Sequence, residues 1–124
     1  MISHLNIGVN NLARAEAFFD ELLKLFGAKQ AYKSERTVLY AFAEGTAKLA
    51  INTPFNGEPA TAGNGTMVAL NGTNQAHVDA VYAKALELGG SCEGAPGTRL
   101  GGALYAAYFR DLDGNKFGVF CKPE

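Results

Sequence analysis

Apolar and polar residues alternate through the first segment of the chain. Leu5, Ile7 and Val9 fall on one side and His4, Asn6 and Gly8 on the other, the period of two of a half-buried strand over 2–9. The period then lengthens. Leu12, Ala15, Phe18, Phe19, Leu22, Leu23 and Phe26 form one apolar stripe, which predicts an amphipathic helix over about 12–26. Asn10 or Asn11 can cap its start and Gly27 can stop it. Strands are expected near 28–33, 36–42 and 46–52, with turns at Ser34-Glu35 and Glu44-Gly45. The stretch from Thr53 to Gly65 is rich in Gly, Pro and Asn and reads as a linker.

The same order then returns. A strand at 66–71 leads through Gly72-Thr73-Asn74 into a helix over about 75–88, closed by Gly89-Gly90. Strands follow near 91–95, 105–110 and 116–121. Ala95-Pro96-Gly97 and Gly101-Gly102 signal turns, and Asp111 to Asn115 is a tight Asx/Gly turn. Shifted by about 63 residues, the chain falls onto itself: Phe18, Phe19, Leu22, Leu23, Leu25 and Gly27 lie over Val81, Tyr82, Ala85, Leu86, Leu88 and Gly90. The expected fold class is α+β, built of two tandem βαβββ modules at about 1–53 and 66–124.

Length and composition change little. A chain of 124 residues is one domain by length and large enough for a core without staples. A hydrophobic content of 48% and a charged content of 19% are those of a globular protein. A formal net charge of -1 gives no reason to expect a nucleic-acid or membrane partner. No apolar run approaches a membrane span, and Met1-Ile2-Ser3-His4 lacks a signal-peptide pattern, so a cytoplasmic location is expected. Cys92 and Cys121 are too few for a disulfide framework and are expected as reduced thiols. Two histidines exclude a His-rich metal site, and His77, early in the second helix, is given no role. There is no phosphate loop and no nucleophile elbow.

Two features carry a resemblance to a known family. One is the doubled βαβββ pattern. The other is the segment Tyr108-Phe109-Arg110-Asp111-Leu112-Asp113-Gly114-Asn115-Lys116-Phe117, which resembles the F-x-D-P-D-G-N turn of the vicinal oxygen chelate superfamily. Glyoxalase I, bleomycin- and fosfomycin-resistance proteins and extradiol dioxygenases belong to that superfamily. Residues Ala85 to Thr98 also resemble the second module of small bacterial glyoxalase-like proteins. The resemblance implies two sheets curled around a cleft. It also implies, in members with metal chemistry, one ligand on the first and one on the last strand of each module, where a divalent metal acts as a Lewis acid.

Those ligand positions match His4, Ala50, Met67 and Gly118. Only His4 offers a good donor, since alanine and glycine have none and a thioether is soft. Neighbouring Lys48, Asn52 and Lys116 supply no carboxylate. No divalent metal and no other cofactor are therefore expected. The cleft face implied by strand alternation carries His4, Asn6, Gly8, Lys48, Ala50, Asn52, Met67, Ala69, Asn71, Lys116, Gly118 and Phe120. Ala50 and Gly118 are expected to leave room. Tyr40, Tyr105 and Tyr108 lie on strands from which one or more can reach this face, and Arg99, in a Gly- and Leu-rich loop, can meet a ligand carboxylate. Such a lining suits a small organic molecule with an aromatic or planar part.

Three readings follow. The first is a small-molecule binding protein of the bleomycin-resistance type, working as a homodimer as that resemblance implies. The second is a lyase, isomerase or dioxygenase-type enzyme with a partial site, in which His4 is the only candidate acid/base. The third is a non-catalytic structural or regulatory module.

Overall fold

A computed structural model describes all 124 residues. The first unit, Met1–Thr61, contains β1 (His4–Gly8), α1 (Leu12–Leu23), β2 (Lys29–Lys33), β3 (Thr37–Ala41) and β4 (Lys48–Asn52). The second unit, Ala62–Glu124, contains β5 (Val68–Asn71), α2 (Gln75–Glu87), β6 (Ser91–Arg99), β7 (Leu104–Arg110) and β8 (Lys116–Cys121). The fold is α+β, with one four-stranded mixed sheet in each unit, ordered β1-β4-β3-β2 and β5-β8-β7-β6. No helix is long and apolar enough to cross a membrane.

Both helices start in the same way. The Asn11 side chain accepts a hydrogen bond from the Arg14 amide, and the Asn74 side chain accepts one from the His77 amide. These are the same cap at equivalent points of the repeat, and each satisfies an otherwise orphaned backbone donor. His77 adds to the second cap, because its Nδ1 accepts from the Thr73 amide at 3.0 Å. Helix α1 is shorter than its apolar stripe. It tightens after Leu23 into a 3-10 turn at Lys24–Phe26, which Gly27 closes at φ 70°, a left-handed conformation suited to glycine.

The pairing makes the repeat literal. In the first sheet Asn6 pairs with Ala50 and Gly8 with Asn52 on parallel neighbours. In the second, Ala69 pairs with Gly118 and Asn71 with Phe120. Just beyond, the Val9 amide donates to the Asn52 carbonyl at 2.9 Å, and the Gly72 amide donates to the Phe120 carbonyl at 2.7 Å.

Each unit buries its own core between helix and sheet. In the first, Phe18, Phe19, Leu22 and Leu23 of α1 meet Val38, Tyr40, Leu49 and Ile51. In the second, the helix presents smaller groups, Val78, Val81 and Ala85, and the sheet supplies the bulk through Phe109 and Phe117, whose rings stack at 5.5 Å. The larger sheet residues of the second unit make up for its smaller helix residues, which keeps the layer filled.

The sequence expectation fails at one strand. Ala95-Pro96-Gly97 is not a turn, because β6 runs through it from Ser91 to Arg99. Register shifts between Cys92 and Gly94 and between Gly94 and Gly97 absorb the irregularity. β6 is an edge strand, so a proline without an N–H interrupts no ladder on its outer side. Arg99 is accordingly the last residue of β6, paired with Leu104, and not a loop residue.

Candidate functional site

Strand alternation divides each sheet into a face packed on its helix and a face turned away from it. On the first sheet the outer face carries Asn6 and Asn52, whose side chains meet: the Asn52 amide donates to Asn6 Oδ1 at 3.3 Å. His4 and Lys48 sit side by side at the start of the same pair of strands, both exposed. His4 Nδ1 pairs with Ser3 Oγ at 3.0 Å. Ala50, between these residues, is only 2% exposed, so it does not open the space expected of it.

The outer face of the second sheet carries a denser cluster. Tyr108 and Phe120 meet edge to face at 5.5 Å. Gly118 lies beneath: a Cβ there would stand 2.6 Å from the Phe120 ring and 3.1 Å from Met67 Sδ. Two cations flank the tyrosine, with Arg99 Cζ 5.6 Å and Lys116 Nζ 5.5 Å from the ring centroid. The Arg99 guanidinium is fixed by the carbonyls of Ala95 at 2.7 Å and Thr98 at 3.2 Å. Asn71 is exposed at the end of β5. Farther along the strands Arg110 Nε pairs with Glu93, which holds the Glu93 carboxyl below its usual range.

Two tyrosines do not join these faces. Tyr105 turns to α2 and donates to Asp79 Oδ1 at 2.6 Å; that bond raises the phenol pKa. Tyr40 is buried against α1 and donates to Asp20 Oδ1 at 2.8 Å. Burial first, and Asp20 second, push its phenol far above the ordinary value. The physical reason is parity: residues 105 and 108 lie an odd number apart on β7 and must point to opposite faces. Cys92 is exposed and Cys121 buried, and both are free thiols.

A metal site of the expected pattern does not fit these residues. Ala50 and Gly118 have no donor atoms. At Gly118 a ligating side chain would have to displace the Phe120 ring and Met67. No three His, Cys, Asp or Glu side chains are grouped so that they could hold a metal ion.

One further hollow, of about 470 Å³, escaped sequence reasoning. It is lined in part by Asn10, Arg36, Thr53, Phe55 and Glu58. The Arg36 guanidinium lies 5.3 Å from the Phe55 ring centroid and donates to the Thr53 carbonyl at 3.0 Å. Phe55, an aromatic residue within a polar linker and 90% exposed, was the available signal.

The family model of the Glyoxalase/Bleomycin resistance protein/Dioxygenase superfamily matches residues 1–119. A glyoxalase/bleomycin resistance protein from Albidiferax ferrireducens T118 superposes with a TM-score of 0.88 at 35% identity, covering 99% of each chain. A hypothetical protein from S. aureus gives a TM-score of 0.73 at 24% identity, over 97% of this chain and 94% of that one. A fosfomycin resistance protein from Listeria monocytogenes gives 0.74 at 20% identity, over 98% and 90%. No protein of curated function matches.

Proposed function

Because the chain belongs to the glyoxalase/bleomycin resistance protein/dioxygenase superfamily and yet has alanine, methionine and glycine at the positions that would have to hold a metal, we propose that it binds a small organic ligand without a metal. The observation that carries this reading is Gly118. Its place on the last strand is filled by the Phe120 ring and the Met67 thioether, an apolar filling where a carboxylate would be needed. The outer sheet face of the second unit supplies what a ligand site needs instead: the aromatic edges of Tyr108 and Phe120 and the cations Arg99 and Lys116.

Metal loading tests the reading. The purified protein is expected to carry no stoichiometric metal and to melt at the same temperature in Ni, Zn, Mn or Fe(II). A metal bound only by the native state at 100 times its Kd would stabilise it by about 2.7 kcal/mol, which a melting curve resolves. Stoichiometric metal with such a shift would overturn the proposal. Catalysis through His4 is tested separately. If a turnover is found and a His4→Ala variant loses it, the enzyme reading replaces this one.

A further inference from the structure

We propose that the Tyr108 face of the second unit takes a planar organic carboxylate, with Arg99 and Lys116 holding the acid group and Tyr108, Phe120 and Met67 holding the flat apolar body. The inference rests on the reading above that the chain is a metal-free ligand binder, and it names the chemical class.

Charge points to an anion. Arg99 and Lys116 both lie within 5.6 Å of one ring centroid, and the nearest carboxylate with an effect on either is Glu93, which is bonded to Arg110 and only helped at longer range by Lys116. Two other basic residues of the same unit are directly paired: Arg110 with Glu93, and Lys84 with Glu87. Two like charges gathered on one ring repel, and the ring's negative face offsets only part of that. An anion bound at the ring relieves it and gains charge-assisted hydrogen bonds.

The arginine is also prepared for the task. Two carbonyls hold its Nη1 and Nη2 groups from one side. A guanidinium has five N–H donors, so others stay available for a ligand. The bulged strand makes the pose possible, because a Cβ at Gly97 would stand 3.0 Å from Arg99 Nη1, and one at Gly94 would stand 3.0 Å from Tyr108 Cδ2 and 3.3 Å from Arg99 Nη2. Glycine at both positions lets the side chain fold back along β6 toward the ring. Ordering is therefore largely done before a ligand arrives, which lowers the entropic cost of binding it.

The apolar part has a defined surface as well. Met67 is 39% exposed and abuts the space above Gly118, beside the edge-to-face rings of Tyr108 and Phe120. A thioether and two ring faces accept a flat apolar group without demanding one exact shape.

The test compares 2-naphthoate with its neutral analogue 2-naphthamide, and with cyclohexanecarboxylate, by calorimetric titration at low salt. Wild type, Lys116→Gln and Arg99→Gln are used, each first checked for a native circular dichroism spectrum and cooperative melting. Naphthoate is expected to bind roughly 10-fold tighter than the amide, the ratio that one charge-assisted contact gives. Each variant should lose about 3- to 10-fold for naphthoate and nothing for the amide, and added salt should weaken naphthoate alone. Equal binding of naphthoate and amide, or unchanged naphthoate binding by Lys116→Gln, would overturn the inference. So would cyclohexanecarboxylate binding as well as naphthoate, which would remove the planar requirement. Failure of all three probes at millimolar concentration also overturns it, whereas the metal-free reading stands or falls on the metal titration alone.

Discussion

Asp111 holds the turn between β7 and β8. One carboxylate oxygen accepts from the Asp113 amide at 2.9 Å and from the Asn115 amide at 2.8 Å, and the other accepts from the Asn115 side chain at 2.9 Å. It is 5% exposed, so these donors have no water to fall back on. Asp111→Ala should cost about 2–4 kcal/mol in urea unfolding and Asp111→Asn clearly less, since an amide oxygen still serves the two backbone donors. The charge itself is a burden. Burial, the largest effect, raises the Asp111 pKa above 3.8, against the pull of its hydrogen bonds. Its folded pKa is the higher one, so its contribution weakens as pH rises from 3.8 through the folded value. Glu93 works the other way. Arg110 lowers its pKa from 4.5, so the pair's stabilisation is complete above 4.5 and lost as pH falls through the folded value. The expected outcome is a shallower acid limb of melting temperature against pH in Glu93→Gln than in wild type.

At the scale of elements, the two asparagine caps are separable. Asn11→Ala and Asn74→Ala should each destabilise by about 1 kcal/mol. The double variant should show the sum, because the caps share no hydrogen-bond partner. The cores answer differently to truncation. Phe19 is fully buried in the packing of α1, and Phe19→Ala should cost about 3–5 kcal/mol. The equivalent position on α2 is Tyr82, which is not part of the buried core. Truncation there should cost far less in the same denaturant titration. β6 shows how an element can contradict its own sequence signals: a proline and two glycines stay in a strand because the strand is at an edge and bulged.

At the scale of the molecule, two units of similar length each pair one helix with one mixed sheet, and the chain divides at residues 61 and 62, inside the Gly/Pro/Asn-rich stretch. Met1, Ile2 and Leu5 are exposed at the first strand, which gives a second copy of the chain an apolar strip to cover. A dimeric mass is expected by light scattering at micromolar concentration, and a monomeric one would overturn the homodimer that the resemblance implies.

The order of elements was legible in the sequence because strand and helix leave different periods, and because the repeat states each of them twice. Residues 15, 18, 19, 22 and 23 could only be one face of a helix, and the two capping asparagines mark the same point of each module. The missing donors at Ala50 and Gly118 were equally legible, since no tertiary structure gives alanine or glycine a ligating atom. The sides taken by Tyr105 and Tyr108 were fixed by parity along β7 as well, although their aromatic character alone suggested one shared face. What only the tertiary structure decided is how the spaces are filled. Phe120 and Met67 close over Gly118, the bulges carry β6 past Pro96, and Arg99 folds back to join Lys116 at the Tyr108 ring. Periodicity gives the direction of each side chain from its strand. The neighbours that meet above the sheet are set by pairing register and rotamer, which no local pattern encodes.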